Sequence, residues 1–151
     1  MTTPPPPPAR AKIPHLEILD DSPDAARIVQ LYTGEVLAGR TRTLRLLGRK
    51  HSARILHTLL GYEVQSSYKR IQCPDLVTAR YLRLFSELGF RSIRLPYDPT
   101  VTARVIPELE AAVLNLERRV RALFPGDPKL GAYVLRRVYA ILRTRIRALS
   151  A

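Results

Sequence analysis

The sequence has no tryptophan, one cysteine and one methionine, and its seven glycines stand singly. A lone Cys73 excludes an internal disulfide and any cysteine-based zinc cluster, which makes a reducing compartment the default. Scattered glycines exclude the Gly-rich loop that cradles nucleotide phosphates. Of the histidines, His51 and His57 are too far apart to share one side of a helix and His15 lies in a remote arm, so no metal-ligand spacing is present. No apolar run is long enough to span a bilayer, and no basic start followed by an apolar core marks a secretory leader. A soluble, cytoplasmic protein without metal or cofactor is therefore expected.

Acids are scarce as well. Thirteen Asp and Glu face 25 Lys and Arg, a formal net charge of +12. Such a surplus favours polyanions, nucleic acid before membrane. The balance is uneven, because residues 16–35 carry Glu17, Asp20, Asp21, Asp24 and Glu35 against Arg27 alone. By contrast, the segment from Gly39 to His57 holds six cations and no acid, and none follows Asp127. A GC-rich genome favours Arg over Lys without selection for binding, but it does not by itself clear acids from whole segments.

Residues 1–15 open with five consecutive prolines and read as an extended, solvated polyproline arm. Residues 16–100 read as an α+β core with an N-terminal helix. Ser22 as N-cap, Pro23 at the first helical position and Asp24 in the first turn predict a helix to about Ala38, closed near Gly39. Two β-α-β units follow. In the first, TRTLRLL is a strand, KHSARILHTLLG a short helix and YEVQS a strand; in the second, YKRIQC, DLVTARYLRLFSELG and FRSIRLPYD repeat the order. Gly61 and Gly89, each followed by an aromatic, are placed as left-handed helix caps. The expected fold is a split βαβ, ferredoxin-like sandwich. Alternation turns Leu44, Leu46, Ile71, Cys73, Ile93 and Leu95 inward and leaves Arg45, Arg70 and Arg94 on the other face, near Tyr68.

Residues 101–151 read as a helical hairpin packed on the core or dimerising. The first helix is placed from Pro107, with Leu109, Val113, Leu116, Val120 and Leu123 forming a narrow apolar seam that suits a partner helix or a homodimer. Asp127 and Pro128 open the second. At 100° per residue Arg136, Arg143 and Arg147 fall within about 40° of one another, flanked by Tyr133, Arg137 and Tyr139. Leu135, Val138, Leu142, Ile146 and Leu149 lie opposite. Such a helix can set guanidinium groups on phosphates, with tyrosine beside them.

Two motifs suggest chemistry. His51-x-x-Arg54, with Tyr81 further on, resembles a fragment of the tyrosine-recombinase signature, which implies Arg and His on a scissile phosphate and Tyr as nucleophile. That family also needs an Arg and a Lys well upstream, and only 50 residues precede His51. Cys73-Pro74-Asp75 is similar to the start of a nuclease Pro-Asp motif, but no Glu-x-Lys follows, and Asp75 suits a helix cap. The sheet face of Arg45, Arg70 and Arg94 resembles that of RNA-binding sheets, without their paired stacking aromatics.

The residues thus point to a non-enzymatic protein that binds DNA or RNA through phosphate contacts with little sequence specificity. The expected contacts are Arg40, Arg42, Arg45, Arg49, Lys50, Arg70 and Arg94, and Tyr133, Arg136, Arg137, Tyr139, Arg143 and Arg147 on the last helix. The alternative is an oligomeric scaffold assembled through the C-terminal seam.

Overall fold

A computed structural model describes residues 22–46, 52–66 and 69–150. The proline arm, Arg49, Lys50, His51 and Tyr68 lie outside the described residues.

The first helix, α1 (Pro23–Gln30), opens as its sequence predicts, with the Ser22 Oγ accepting from the Ala25 amide at 3.1 Å. It then widens into a π-helical segment, Leu31–Val36. Thr33 Oγ1 donates back to the Val29 carbonyl at 2.7 Å, a bond that bends helices, and the neighbouring Gly34 is a poor helix former.

Two antiparallel sheets follow. Strands β1 (Thr41–Arg45) and β5 (Ser92–Pro96) form a ribbon in which Thr43 lies opposite Arg94. Strands β2 (Arg54–Thr58), β3 (Gly61–Ser66) and β4 (Lys69–Cys73) form a meander. The protein is α+β, but its strands pair as separate sheets of two and three, which is not the ferredoxin-like layout.

The difference comes from residues 50–61, placed in a helix by their sequence. Residues 54–61 form a hairpin instead. Its leucine spacing imitates a helical face, yet Leu59 and Leu60 are fully exposed at the turn. Gly61 caps no helix; it starts β3 at φ +122°, and a Cβ there would stand 3.0 Å from the Cys73 carbonyl oxygen. Only glycine fits such a position without strain.

Helix α2 (Leu76–Glu87) matches expectation closely. Asp75 Oδ1 accepts from the Thr78 amide at 2.7 Å. At the other end Gly89 takes φ +84°, the Gly89 amide reaches the Ser86 carbonyl at 3.0 Å and Phe90 reaches Phe85 at 3.1 Å. This is a Schellman cap, and Phe90 folds back edge-on against Phe85.

Helix α3 (Pro99–Ala122) begins eight residues before Pro107, its expected start. Asp98 and Pro99 repeat the cap signature seen at Ser22 and Pro23, with the Thr100 amide 2.9 Å from Asp98 Oδ1. Pro107 sits inside the helix, where it forgoes one backbone hydrogen bond. Helix α4 (Pro128–Ser150) starts as predicted, the Leu130 amide lying 3.0 Å from Asp127 Oδ1.

Helix α3 lies at the centre, touching α1, α2, α4 and β5. Its seam is used within the chain: Leu109, Leu116 and Val120 are buried, Val113 is half-buried and only Leu123 is exposed. Burial of each such side chain is worth about 1.5–3 kcal/mol, so Leu109, Leu116 and Val120 are core and do not present a dimer face. Helix α2 covers the meander. Leu46, Cys73, Ile93 and Leu95 are buried, and Leu44 and Ile71 pack against the core.

Candidate nucleic-acid interface

Strand β5 is pinned at Arg94. Its amide donates to Tyr32 Oη at 3.1 Å, and its carbonyl accepts from Tyr81 Oη at 2.5 Å. Both bonds serve the edge of β5 that β1 does not pair, where an unmatched backbone group would be costly. Burial raises both phenols above their ordinary range, Tyr81 the more strongly, which keeps its hydroxyl protonated and able to donate.

That role also answers the recombinase resemblance. Tyr81 is fully buried and holds a strand, so it is not a presented nucleophile. Arg54 lies exposed on β2, its Nε and Nη2 at 3.0 and 2.9 Å from Gln65 Oε1.

The Arg94 side chain crosses the outer face of the ribbon. Its Nε donates to Thr41 Oγ1 and its Nη1 to Thr43 Oγ1, both at 2.9 Å. Strand alternation puts Arg45 on this face too, while Arg42 is exposed on the ribbon's other face. Lys69 Nζ donates to the Arg45 carbonyl at 2.9 Å, fastening the meander to the ribbon.

At the end of β1, the Arg40 guanidinium carbon stands over the ring of Tyr97, 5.6 Å from its centroid. The Tyr97 amide donates to the Arg40 carbonyl at 3.0 Å, fixing the pair. Between ribbon and α4 lies a hollow of about 280 Å³ lined by Tyr32, Thr43, Arg94 and Arg147. An adjoining hollow of about 690 Å³ is lined by Arg40, Thr41, Arg94, Tyr97 and Ser150. The two share Arg94 and Ser150, and among the described residues no carboxylate side chain lines either. Arg136, Arg137 and Tyr133 are exposed along the first half of α4; Arg136 stands roughly 16 Å from Arg147 along the axis.

Three of the expected contacts sit elsewhere. Tyr139 is buried, its phenol raised by that burial and by Glu117 and Glu87, so it packs between helices. Arg143 is half-buried and donates from Nη1 to the Leu88 carbonyl at 2.6 Å. That carbonyl ends α2, where a cation complements both the open acceptor and the helix dipole. Arg70 lies on the meander, 3.9 Å from Glu63 Oε1. On the inward face of α4, Leu135, Val138, Leu142 and Ile146 are buried as expected, whereas Leu149 is exposed.

Charge pairing separates the cations. Arg27 meets Glu108, Arg104 meets Glu35, Arg80 and Arg83 share Glu110, and Arg121 meets Glu117. Among the described residues, Arg40, Arg42, Arg45, Arg94, Arg136, Arg137 and Arg147 form no ion pair. Sequence reasoning missed Tyr97, Thr41, Thr43 and Ser150. The alternation of Thr41, Thr43 and Arg45 along one strand was the available signal; Tyr97, placed at a strand end, gave none.

Among the described residues no group of three His, Cys, Asp or Glu could hold a metal ion, and no helix is long and apolar enough to cross a membrane. Cys73 is buried, with its thiol pushed up to about 11 by burial first and Asp75 second, so it stays protonated at neutral pH. Comparison with protein families, curated proteins and solved structures finds no match, so the functional reading rests on this geometry.

Proposed function

We propose that the protein is a non-enzymatic, cytoplasmic nucleic-acid-binding protein that grips phosphates with little sequence specificity. The observation that carries this reading is the set of exposed arginines on the ribbon and α4 that meet no carboxylate among the described residues, three of which, Arg40, Arg94 and Arg147, line the two adjoining hollows as one trough. A guanidinium left without an acid keeps its charge uncompensated and at least one donor group for phosphate oxygens, and such contacts supply affinity rather than sequence discrimination. The alternative of a scaffold assembled through the α3 seam draws less support, because most of that seam is buried within the chain.

Fluorescence anisotropy with mixed-sequence oligonucleotides tests the proposal through salt. Four phosphate contacts give a slope of about −3 to −4 in a plot of log affinity against log salt. Affinity that stays level between low and moderate salt, or the absence of binding at low salt, would overturn it.

A further inference from the structure

The trough between ribbon and α4 has a chemistry narrower than a basic surface. Every polar side chain identified along it can donate. Arg94 spends Nε and Nη1 on Thr41 and Thr43 and keeps Nη2, while each threonine oxygen that accepts from Arg94 retains its own hydroxyl proton. Arg40 and Arg147 add guanidinium groups at either end, with no carboxylate side chain between them among the described residues. This arrangement selects an acceptor-rich anion.

Beside these donors stands a π surface. Tyr97 is 59% exposed, and it is held in place by its backbone bond to Arg40 and by the guanidinium over its ring. Phosphate alone has no use for an exposed aromatic face. In a duplex the base faces are covered by their stacked neighbours, whereas a single strand offers each base to an aromatic or guanidinium plane. The trough is also concave, with hollows of about 280 and 690 Å³, a scale that accepts a nucleotide unit and not a convex double helix.

We propose that this trough holds a single-stranded polynucleotide, with backbone phosphates on Arg94 and Arg147 and a base stacked on Tyr97 beside Arg40. The proposal rests on the phosphate-binding reading above and adds strandedness to it. The shared chemistry is that of any single strand, so one arm uses oligothymidylate and another oligouridylate, each compared with a mixed-sequence duplex of equal length.

The test is anisotropy on the full chain at fixed salt, with Tyr97→Ala and Tyr97→Phe. Tyr97 is exposed, so neither change disturbs the core. Loss of one stacked base weakens single-strand binding by about fivefold to about a hundredfold. Duplex binding should not change, and Tyr97→Phe should restore the single-strand affinity. Single-strand affinity unaffected by Tyr97→Ala, or equal loss on duplex, overturns the inference even where steep salt dependence upholds phosphate binding. Failure to bind any of the three oligonucleotides overturns both.

Discussion

On the side of the molecule built by α1, α2 and α3, Arg27, Arg80, Arg83, Arg104 and Arg121 each face a glutamate. On the side built by the β1–β5 ribbon and α4, seven exposed arginines face none among the described residues. Apart from Arg121 and Glu117, which pair within α3, the first set joins elements distant in sequence: Arg27 in α1 to Glu108 in α3, Arg104 in α3 to Glu35 after α1, and Arg80 in α2 to Glu110 in α3. Three further acids, Asp75, Asp98 and Asp127, cap helices. Among the described residues most carboxylates thus lie where helices meet or begin, and the exposed arginines of the ribbon and α4 have none beside them. Arg118 and Arg119 stand apart from both sets, since they form no ion pair among the described residues but lie in the last turns of α3, where the helix dipole favours cations. Net charge alone does not carry this distinction; two proteins of equal charge differ in binding if one neutralises its arginines internally.

The largest effect should come from reversing charge on the unpaired side. Arg40→Glu, Arg136→Glu and Arg147→Glu combined should weaken nucleic-acid binding on the order of a hundredfold or more at low salt, since phosphate contacts are lost and repulsion is added. All three side chains are exposed, so the thermal midpoint should barely move. Arg27→Glu with Arg104→Glu makes the same kind of change on the paired side and should leave much of the affinity in place. If both sets of reversals weaken binding alike, the division into two sides fails, and only long-range charge remains.

Next in size is Arg143, which sequence position assigns to the unpaired side and geometry to the structural one. Its bond to the Leu88 carbonyl is a charge-assisted hydrogen bond that closes α2. Arg143→Met keeps the apolar stem and removes the donor, with an expected loss of about 2 kcal/mol in urea unfolding. Affinity for nucleic acid should change little. A large fall in affinity with unchanged stability would return Arg143 to the phosphate-binding set.

Arg143 and Tyr139 also show what could be read from the sequence and what could not. Angular spacing on α4 correctly turns Val138, Leu142 and Ile146 inward, because apolar periodicity reports burial. It says nothing of which neighbouring element lies at the border of that face. The end of α2 comes to lie beside Arg143, and Glu87 and Glu117 beside Tyr139, through tertiary packing alone. Local signals were more dependable. The caps at Ser22, Asp75 and Asp127, and the Gly89-Phe90 closure, depend on one residue's contact with its own turn, and each is legible for that reason. The same signature at Asp98-Pro99 was hidden by a second proline, Pro107, that also suits a helix start. The β2–β3 hairpin was lost because exposed Leu59 and Leu60 carry no information about burial. Thus the α+β class and the inward faces were accessible, while sheet pairing and the trough depend on contacts between distant segments.

The smallest effect probes the paired side through pH. Glu87, in the last turn of α2, has its carboxyl raised above the ordinary range, first by burial, with Glu117 and Glu110 adding to the rise and Arg83 opposing it. Because its folded value exceeds its unfolded one, the folded chain holds this proton more tightly. Its contribution to stability is therefore fully present below the unfolded value and is lost as pH rises through the folded one. Glu87→Gln removes the titration while keeping the shape. Relative to the native chain, its thermal midpoint should rise as pH increases above the ordinary glutamate range and level off once the folded carboxyl has ionised. A difference that stays level throughout would mean that Glu87 ionises as readily in the folded chain as in the unfolded one. The carboxylates where α2 and α3 meet would then be balanced by their arginines without strain, and the charge contrast between the two sides would be sharper than burial at Glu87 implies.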